Sequence, residues 1–405
     1  MGNNDRRPKI RFKGFNDDWE QHEFGEIFKL SQGLQIPISK RYLEKATNRY
    51  FYITNEFLKD SCEKVYYIES PAENVICTKD DILMTRTGNT GIVITDVEGC
   101  FHNNFFKIQY NKDLFSKNYI CYLLKSEKMK KKILNSAGSS TIPDLSHKSF
   151  YKIDAKFPIL KEQYKIGEFF KQLDSLIVLH QRKLEKLGNI KKSMLEKMFP
   201  KDENKVPEIR FKGFNDDWEQ RYIEDIASFS KGNGYSKSDL SNNGNPIILY
   251  GRLYTNYEFC IDKVNTYSKI KKGSVLSQGN EVIVPSSGET SEDIARASAI
   301  IKKGILIGGD LNIIRPIEIV ESCFLALAIS NGKTQKDLSS KAQGKSVVHI
   351  HNSDIKKIQV SFPKVKEQEK IIKLFKFIDN LISLHQRKLE KLKNIKKACL
   401  EKMFV

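Results

Sequence analysis

The side chains with the clearest chemical potential lie in loops that combine Gly with short polar or basic residues. Arg, Asn and Gln form paired hydrogen bonds with base edges, and Ser and Thr hydroxyls bind bases or phosphates. We therefore predict contacts with nucleic acid from Arg86, Thr87, Asn89, Ser139 and Ser140 in the first half, and from Lys231, Tyr235, Arg252, Ser286, Ser287, Gln343, Lys345 and Ser346 in the second. For any single residue, an ordinary polar turn is the alternative interpretation.

Motifs for catalysis or metal binding are missing from the sequence. The GKS tripeptide at 344–346 lacks the upstream Gly of a phosphate-binding loop, because position 339 is Ser. The HxH at 349–351 has no further carboxylate or His phrase at zinc spacing. No Asn-Pro-Pro-Tyr or Asp-Pro-Pro-Tyr stretch of the amino-methyltransferase kind occurs. We therefore expect no catalytic residue and no metal ligand in this chain.

The composition favours a polyanionic partner. Lys and Arg number 68 against 50 Asp and Glu, which gives a formal net charge of +18. This balance favours nucleic acid first and an anionic membrane surface second, and a merely Lys-rich solvated surface is the alternative. No apolar run approaches the ~18 residues of a membrane span, and the start MGNNDRRPKI lacks a signal-peptide core. The seven scattered Cys residues, never in a CxxC pair, indicate a reducing cytoplasm.

Two segments of the chain occur twice. PKIRFKGFNDDWEQ begins at Pro8 and returns from Pro207 with one difference. LDSLIVLHQRKLEKLGNIKKSMLEKMF begins at Leu173 and returns in near-identical form from Ile378. The two offsets, 199 and 205 residues, are too long for a solenoid and fit a duplicated domain. The sequences between these segments do not repeat in this way, so we infer one frame used twice and two different inserts with different tasks.

Each half of the chain ends in a predicted long amphipathic helix. Residues 161–199 and 366–404 lack Pro, place apolar residues at three-four spacing and begin within the phrases FPILKEQ and FPKVKEQ. One such helix cannot bury its apolar stripe alone, so we predict that the two pack as an antiparallel coiled coil. His180 and His385 lie on the apolar seam, either as a buried pair that fixes the register or at a partly wet position.

The inserts predict two α+β globules. VYYIES, NVICTKDDILM and GIVITDV in the first and GILIGGDLNIIRP in the second read as strands, while residues 117–137 and SCFLALAISN read as helices. Two faint correspondences join the inserts, residues 81–91 with 281–291 and residues 136–145 with 341–350. The predicted fold class is α+β, with two mixed α/β recognition globules separated by two long antiparallel helices and an internal pseudo-two-fold duplication. The predicted domains are residues 1–157, 158–205 (central helix), 206–362 and 363–405 (distal helix).

A surface that occurs twice in one chain predicts a partner that binds twice. The aromatic residues of the repeated RFKGFNDDW phrase and the two seam histidines are the candidate contacts: Phe12, Phe15, Trp19, Phe211, Phe214, Trp218, His180 and His385. The alternative for the aromatic residues is a local hydrophobic anchor that packs each globule onto its helix.

The whole chain resembles the specificity (S) subunit of bacterial type I restriction–modification enzymes. The residues that carry the resemblance are RFKGFNDDW at 11–19 and 210–218, the FPxxxEQ phrases and the two LHQRKLEKLxNIKK phrases, in the order recognition domain, helix, recognition domain, helix. The resemblance implies a subunit without catalysis of its own that reads a bipartite double-stranded DNA target and binds two modification (adenine methyltransferase) subunits. It also implies restriction subunits in the full complex. S-adenosylmethionine is then expected on the modification partner and ATP and Mg on the restriction partner, with no cofactor on this chain. The family's base-contacting residues vary with target, so none is transferred.

Three other functions remain open at this level. The first is a stand-alone DNA-binding adaptor that needs no methyltransferase. The second is a nuclease or methylase of an unrecognised type. The third is a coiled-coil scaffold that binds no nucleic acid, which the net charge and the divergent inserts disfavour. A steep loss of affinity with salt separates DNA binders from the scaffold.

Overall fold

The first insert folds into strands and short helices that lead into a long helix. The computed structural model describes residues 7–58, 64–138, 142–201, 204–344 and 346–405. In chain order, the first elements are β1 (Glu20–Glu23), α1 (Phe24–Ile27), β2 (Phe28–Gln32), β3 (Arg49–Ile53), β4 (Tyr66–Glu69), β5 (Ile76–Cys77), β6 (Ile82–Thr85), β7 (Val93–Ile94), β8 (Gly99–Phe101), β9 (Phe105–Tyr110), α2 (Lys117–Lys125), α3 (Glu127–Ser136), α4 (His147–Tyr151), β10 (Asp154–Phe157) and α5 (Leu160–Lys197).

The second insert follows the same plan and ends in the second long helix. Its elements are β11 (Glu219–Tyr222), α6 (Ile223–Ile226), β12 (Ala227–Lys231), β13 (Asn245–Ile248), α7 (Arg252–Thr255), β14 (Cys260–Ile261), β15 (Tyr267–Ser268), β16 (Leu276–Gln278), β17 (Glu281–Pro285), β18 (Ser287–Gly288), α8 (Ser291–Ile294), β19 (Ser298–Ile300), β20 (Lys303–Ile307), β21 (Leu311–Pro316), α9 (Ser322–Ile329), α10 (Gly332–Ser340), β22 (Val348–His349), α11 (Asn352–Lys356), β23 (Gln359–Phe362) and α12 (Val365–Lys402). Short 3-10 turns lie at Ile38–Lys40, Asn55–Leu58, Glu73–Val75 and Lys237–Asp239.

The two inserts share one sheet topology although their sequences differ. The order β2-β9-β6-β7 in the first matches β12-β21-β17-β19 in the second, where β14 adds an edge strand. The order β4-β3-β8-β5 likewise matches β15-β13-β20-β16. Each of these second sheets contains one parallel pair, β3 with β8 and β13 with β20. The predicted α+β class with an internal duplication is confirmed.

The chain divides into two compact units that do not follow its linear order. Unit 1 contains residues up to Gln181 together with Arg387–Val405, and unit 2 contains Arg182–Gln386. Each long helix therefore begins in one unit and ends in the other. The four domain boundaries that the sequence predicts stay a prediction, since the units take part of a helix from each repeat.

The apolar residues of each unit form one large core and a smaller core between the two sheets, and unit 1 has a further small cluster of Tyr52, Ile68, Val75 and Cys100. In unit 1 the small core joins Ile53 of β3 and Phe101 of β8 with Leu83 of β6 and Phe105 of β9. In unit 2 the corresponding core is built almost entirely from Ile and Leu side chains of β13, β14, β17, β19, β20 and β21. The large core packs the other face of the first sheet on the helices. This packing leaves the loops at the strand ends to carry the polar residues.

Within each unit, segments of the two long helices lie against each other. In unit 1, Phe170 of α5 stacks on Phe404 beyond the end of α12, with ring centroids 5.8 Å apart, and Lys396 binds Asp174 at 2.5 Å. The later residue on α5 meets the earlier residue on α12, so these segments are antiparallel. In unit 2, Lys191 of α5 binds Asp379 of α12 at 2.5 Å. The coiled-coil detail stays a prediction.

One predicted helix is wrong in detail. The sequence pattern predicts a single helix over 117–137, and the structure has α2 and α3 with a break at Ser126. Ser126 is extended (φ −68°, ψ 146°), and its hydroxyl donates to the Leu123 carbonyl at 2.7 Å and accepts from the Met129 amide at 3.4 Å. A Ser that caps a new helix competes with continuation of the old one, which explains the break.

Two further features concern the environment of the chain. Among the described residues, no helix has both the length and the apolar character needed to cross a membrane. Cys260 and Cys323 form a disulfide with Cα atoms 5.5 Å apart, a pairing that their spacing did not predict. Cys77, Cys100, Cys121 and Cys399 are free.

Candidate nucleic-acid interface

The loop after β6 holds three predicted DNA contacts of unit 1. Its turn has Gly88 and Gly91 at φ 84° and 90°, a conformation that Gly adopts without the strain of a side chain. Arg86 donates its backbone amide to the Asn104 carbonyl at 2.7 Å, and the Thr90 hydroxyl donates to the Pro143 carbonyl at 2.7 Å. The loop is therefore held on two sides, while Asn89 at its tip is exposed.

Arg86 and Thr87 converge on Asp144, a residue outside the set of DNA contacts that the sequence predicts. Arg86 Nη2 donates to both carboxylate oxygens of Asp144, at 2.8 and 2.7 Å, and Thr87 Oγ1 donates to Oδ1. The Thr87 hydrogen bond, followed by those from Arg86, lowers the pKa of Asp144 below its ordinary value. The Arg86 guanidinium also lies over the Phe106 ring, 5.5 Å from its centroid. A charged carboxylate, 49% exposed, therefore lies at the surface of this loop.

The matching loop of unit 2 places Ser287 beside His349. Ser287 Oγ lies 3.2 Å from His349 Nδ1, and Tyr254 donates its hydroxyl to the Ser287 carbonyl at 2.8 Å. Ser286 is 3% exposed and its hydroxyl has no hydrogen-bond partner, so Ser287 and His349 carry the accessible polar groups here. The predicted contact at Ser286 is thus placed in the interior.

A cavity opens beside this loop in unit 2. Its volume is about 450 Å³, and its lining includes Tyr250, Tyr254, Glu289, Arg296 and Val347. Burial raises the pKa of Tyr254 to about 12, so its hydroxyl stays protonated and can donate. The cavity therefore presents aromatic, acidic and basic groups next to exposed loop residues.

Three other predicted DNA contacts of unit 2, Lys231, Tyr235 and Arg252, lie outside the loop of Ser287. Lys231 is exposed at the end of β12. The Tyr235 hydroxyl bonds Ser274 Oγ at 2.5 Å and accepts from the Lys271 amide at 3.1 Å, while Arg252 donates to Glu258 at 2.6 Å and to the Lys263 carbonyl at 2.9 Å. These bonds close loops, which is a structural role for Tyr235 and Arg252.

Three predicted contacts cannot be placed and two others lie near β22. Ser139, Ser140 and Lys345 lie outside the described residues. Gln343 and Ser346 are exposed, and the Gln343 backbone exchanges two hydrogen bonds with that of His349, at 3.1 and 2.8 Å. All of the predicted DNA contacts remain predictions.

The repeated phrase RFKGFNDDW binds the start of a long helix in each unit. Arg11 donates two hydrogen bonds to Glu162, at 2.8 and 2.7 Å, and Arg210 donates two to Glu367, both at 2.8 Å. Both carboxylates are buried, and hydrogen bonding to them raises the pKa of each Arg above its ordinary value. The same Arg–Glu ion pair therefore joins the repeated phrase to the start of a long helix in each unit.

The Gln that follows each Glu forms hydrogen bonds with the backbone of the insert in its own unit. Gln163 accepts from the Ser116 amide at 3.0 Å and donates to the Leu114 carbonyl at 3.3 Å. Gln368 accepts from the Glu321 amide at 2.8 Å and donates to the Ile319 carbonyl at 2.9 Å. The Glu-Gln pair of FPxxxEQ thus joins the frame on one side to its insert on the other.

The predicted partner contacts divide into interior and surface positions. Trp19 and Trp218 are each 2% exposed and pack on Tyr119 and Phe324, as the local-anchor alternative expects. Four half-buried rings make cation–π contacts of 4.8 to 6.0 Å with an exposed Lys: Phe12 and Phe15 with Lys165, and Phe211 and Phe214 with Lys370. His180 and His385 are half-buried on their helices. Partner binding by these residues stays a prediction.

A second duplicated surface lies on the long helices. A shallow groove in unit 2 is lined by Arg182, Glu185, Lys186, Asn189, Ile190 and Ser193. A groove in unit 1 is lined by the residues at the matching repeat positions, Arg387, Glu390, Lys391, Asn394, Ile395 and Ala398. Ile190 and Ile395 are 37% and 36% exposed. Each unit therefore presents the same charged groove with an exposed Ile.

The fold contains two copies of one domain, each with its own set of surface loops. The family model for the type I restriction modification DNA specificity domain matches residues 16–189 and again residues 215–394. The chain belongs to this family and is a type I restriction–modification specificity subunit with two target recognition domains.

Relatives and a solved structure agree in length and fold. The chain is 23% identical over 398 residues to the type I restriction enzyme MjaVIII specificity subunit of Methanocaldococcus jannaschii, covering 95% of this chain and 91% of that one. It is 24% identical over 410 residues to the putative MjaX specificity subunit of the same organism, covering 95% and 92%. The crystal structure of a type I restriction–modification system S subunit from M. genitalium has a TM-score of 0.62 at 16% identity, covering 98% and 99%.

Proposed function

We propose that each recognition domain reads one half of a bipartite double-stranded DNA target and that the duplicated frame binds two modification subunits. The observation that carries this proposal is a single frame and sheet topology built twice around different surface residues. Two different reading surfaces require two different half-sites. A frame present twice provides two equivalent docking sites.

The charge supports a DNA ligand. A net charge of +18 favours binding to the phosphate backbone, which releases counterions and makes affinity fall steeply with salt. We expect the complex to lose at least tenfold in affinity between about 50 and 200 mM salt if several phosphates are contacted.

The grooves on the long helices support two docking sites. Their lining residues match at five of six positions, and only Ser193 and Ala398 differ. Each groove combines an exposed Ile with Arg, Glu and Lys, a mixture suited to a protein surface that is apolar at its centre and charged at its rim. We propose that one modification subunit binds at each groove and its neighbouring RFKGF phrase.

We assign methyl transfer and DNA cleavage to the partner subunits. Methyl transfer to adenine would use S-adenosylmethionine on the modification subunit, and translocation and cleavage would use ATP and Mg on the restriction subunit. This chain would supply positioning alone, in the cytoplasm, without membrane association.

The test is to express the chain with its modification subunit in a methylation-free host and to map modified adenines. A single motif of two unlike half-sites around a fixed gap is the expected result. A complex that assembles but leaves the genome unmodified would contradict the proposal.

A charge-reversal series tests the docking sites. Lys186→Glu and Lys391→Glu each alter one groove, and we expect each single variant to bind one modification subunit and the double variant none. Native mass spectrometry measures the stoichiometry. Lys183→Glu, an exposed position on the same helix outside the groove lining, is the matched control and should retain two subunits. Two subunits on the double variant would place docking elsewhere.

A further inference from the structure

The two recognition domains present side chains of different chemistry on the same piece of backbone. In unit 1, Thr87 and Asp144 form an isolated antiparallel bridge, and in unit 2, Ser287 and His349 are paired by β18 and β22. The next backbone bond is also shared, since Leu145 donates to the Arg86 carbonyl at 2.9 Å and Ile350 donates to the Ser286 carbonyl at 3.1 Å. We call these two backbone pairings the reading ladders.

In each domain a side chain at the same place in the fold donates a hydrogen bond to the ladder backbone, although the residue type differs. Asn55 donates its side-chain amide to the Thr87 carbonyl at 3.3 Å, and Tyr254 donates its hydroxyl to the Ser287 carbonyl at 2.8 Å. Both donors lie in the short helical turn that follows the strand of the parallel pair. The backbone of the ladder is therefore fixed by an equivalent bond in each domain.

An exposed branched aliphatic side chain lies two residues before the polar partner in both ladders. Ile142 is 61% exposed and precedes Asp144, and Val347 is 49% exposed and precedes His349. Exposed apolar groups of this kind can contact the methyl group of thymine in the major groove. Each ladder thus offers one apolar contact and a pair of polar contacts within a few residues.

The polar pairs differ in the hydrogen bonds they can form. Asp144 is a charged carboxylate that accepts two hydrogen bonds at Oδ1 and one at Oδ2, so one lone pair of Oδ2 can still accept from the amino group of cytosine or adenine. His349 is exposed, and because its Nδ1 bonds Ser287 Oγ, its Nε2 is the ring atom left to donate to or accept from a base, according to the tautomer. The same backbone position therefore presents different hydrogen-bonding groups in the two domains.

We infer that Asp144 and His349, each with its ladder partner Thr87 or Ser287, are base-reading positions of the two half-sites. The inference rests on the proposed function and assigns its specificity to a defined pair of residues in each domain. The cavity beside Ser287 gives the ladder of unit 2 a concave neighbour of about 450 Å³, in which Glu289 and Arg296 offer further polar contacts.

The experiment is to map the modified motif of complexes that contain Asp144→Asn or His349→Gln. We expect Asp144→Asn to change the preferred base, or to weaken the preference about tenfold or more, at one position of one half-site. His349→Gln should do the same in the other half-site only. Asp80→Asn, the same chemical change at an exposed position of unit 1, and His351→Asn, which replaces the residue that caps α11, are the controls and should leave the motif unchanged.

Two outcomes overturn the inference in distinguishable ways. If the unaltered chain gives a bipartite motif and both variants give the same motif with the same base preferences, the ladders do not read DNA although the proposed function holds. If the unaltered complex assembles and gives no motif, the proposed function fails and the inference fails with it. Because Asp144→Asn also weakens the ion pair with Arg86, His349→Gln decides the case if the first complex does not assemble.

Discussion

Two Arg–Glu pairs join segments of the frame that are far apart in sequence. Arg11 and Glu162 are 151 residues apart in sequence, and Arg210 and Glu367 are 157 apart. Both pairs are bidentate, and neither carboxylate has access to water. Removing one partner of such a pair leaves a charge without compensation in a poorly solvated place.

We predict that Glu162→Gln and Glu367→Gln destabilise their own units by about 3 kcal/mol each, because a half-buried Arg loses its ionic partner. Urea unfolding followed by hydrogen exchange at the RFKGF phrases measures the effect in each unit. Glu127→Gln removes a carboxylate paired with Lys130 at 3.3 Å that is 56% exposed, and should cost less than about 1 kcal/mol. Equal losses of unfolding free energy in all three variants would show that the two Arg–Glu pairs contribute no more than an exposed ion pair.

Two half-buried histidines make unit 1 sensitive to acid. Burial lowers the pKa of His102 and of His147, and the nearby Arg41 and Arg86 respectively lower it further. Below about pH 6.5 the unfolded chain therefore binds more protons than the folded one. The stability from these groups is present above that pH and is lost as the pH falls toward the folded pKa values.

We expect the thermal unfolding temperature of unit 1 to drop between pH 7.5 and 5.5, and His102→Gln with His147→Gln to reduce that drop. His22→Gln, at a histidine that bonds Glu26 at the surface, is the matched control and should keep the full dependence. A double variant as acid-sensitive as the unaltered chain would assign the effect to other groups.

At the scale of elements, the spacing of apolar residues predicted the long helices but did not predict contacts between residues far apart in sequence. The three-four spacing over 161–199 and 366–404 predicted α5 and α12 to within two residues at either end. The faint correspondence of 81–91 with 281–291 and of 136–145 with 341–350 marked the two sides of each ladder. Strand order and the Arg–Glu pairs join residues far apart in sequence, where no pattern along one chain reports contact.

The same reasoning explains why Asp144 and His349 were missed. Each is one polar residue before a buried aliphatic residue, Leu145 or Ile350, which is also the pattern of any strand end. The available signal was their alignment with each other in the paired segments, whereas the HxH phrase drew attention to metal binding instead. The side-chain chemistry became informative only when the fold placed it opposite Thr87 and Ser287.

Helix α5 contains two glycines with opposite roles, which gives a test of element packing. A Cβ on Gly167 would lie 2.7 Å from Cβ of Asn118 in α2, whereas a Cβ on Gly188 would meet nothing within 4 Å. We predict that Gly167→Ala destabilises unit 1 by about 1–3 kcal/mol through overpacking. Gly188→Ala should stabilise the helix by roughly 0.5–1 kcal/mol because Gly is a poor helix former.

Thermal unfolding and hydrogen exchange of the α2 amides distinguish the two substitutions. Faster exchange in α2 is expected for Gly167→Ala alone. If both substitutions raise stability, α5 and α2 do not approach as closely as their backbones indicate.

At the scale of the whole molecule, the long helices connect two reading domains that differ in chemistry. Under the proposed function, the helix length sets the unspecified gap between half-sites and the domains set the bases. We expect that removing about one turn, or about four residues, from α5 and α12 together changes the gap and leaves both half-sites intact. Methylation mapping of the shortened complex measures both features, with Gly188→Ala as a control of unchanged length. Altered bases in either half-site would contradict this division of roles.

The make-up of unit 1 has a consequence for synthesis on the ribosome. Unit 2 is one continuous stretch, Arg182–Gln386, and can close as soon as that stretch has emerged. Unit 1 begins earlier, yet it must wait for Arg387–Val405, whose Met403 and Phe404 are buried in its core. All residues of unit 2 are therefore available before all those of unit 1, the opposite of the usual N-to-C order of domains along a chain. A nascent or prematurely terminated chain leaves the site of Phe404 beside Tyr119 and Phe170 open, an apolar surface that chaperones and proteases can recognise before any DNA is met.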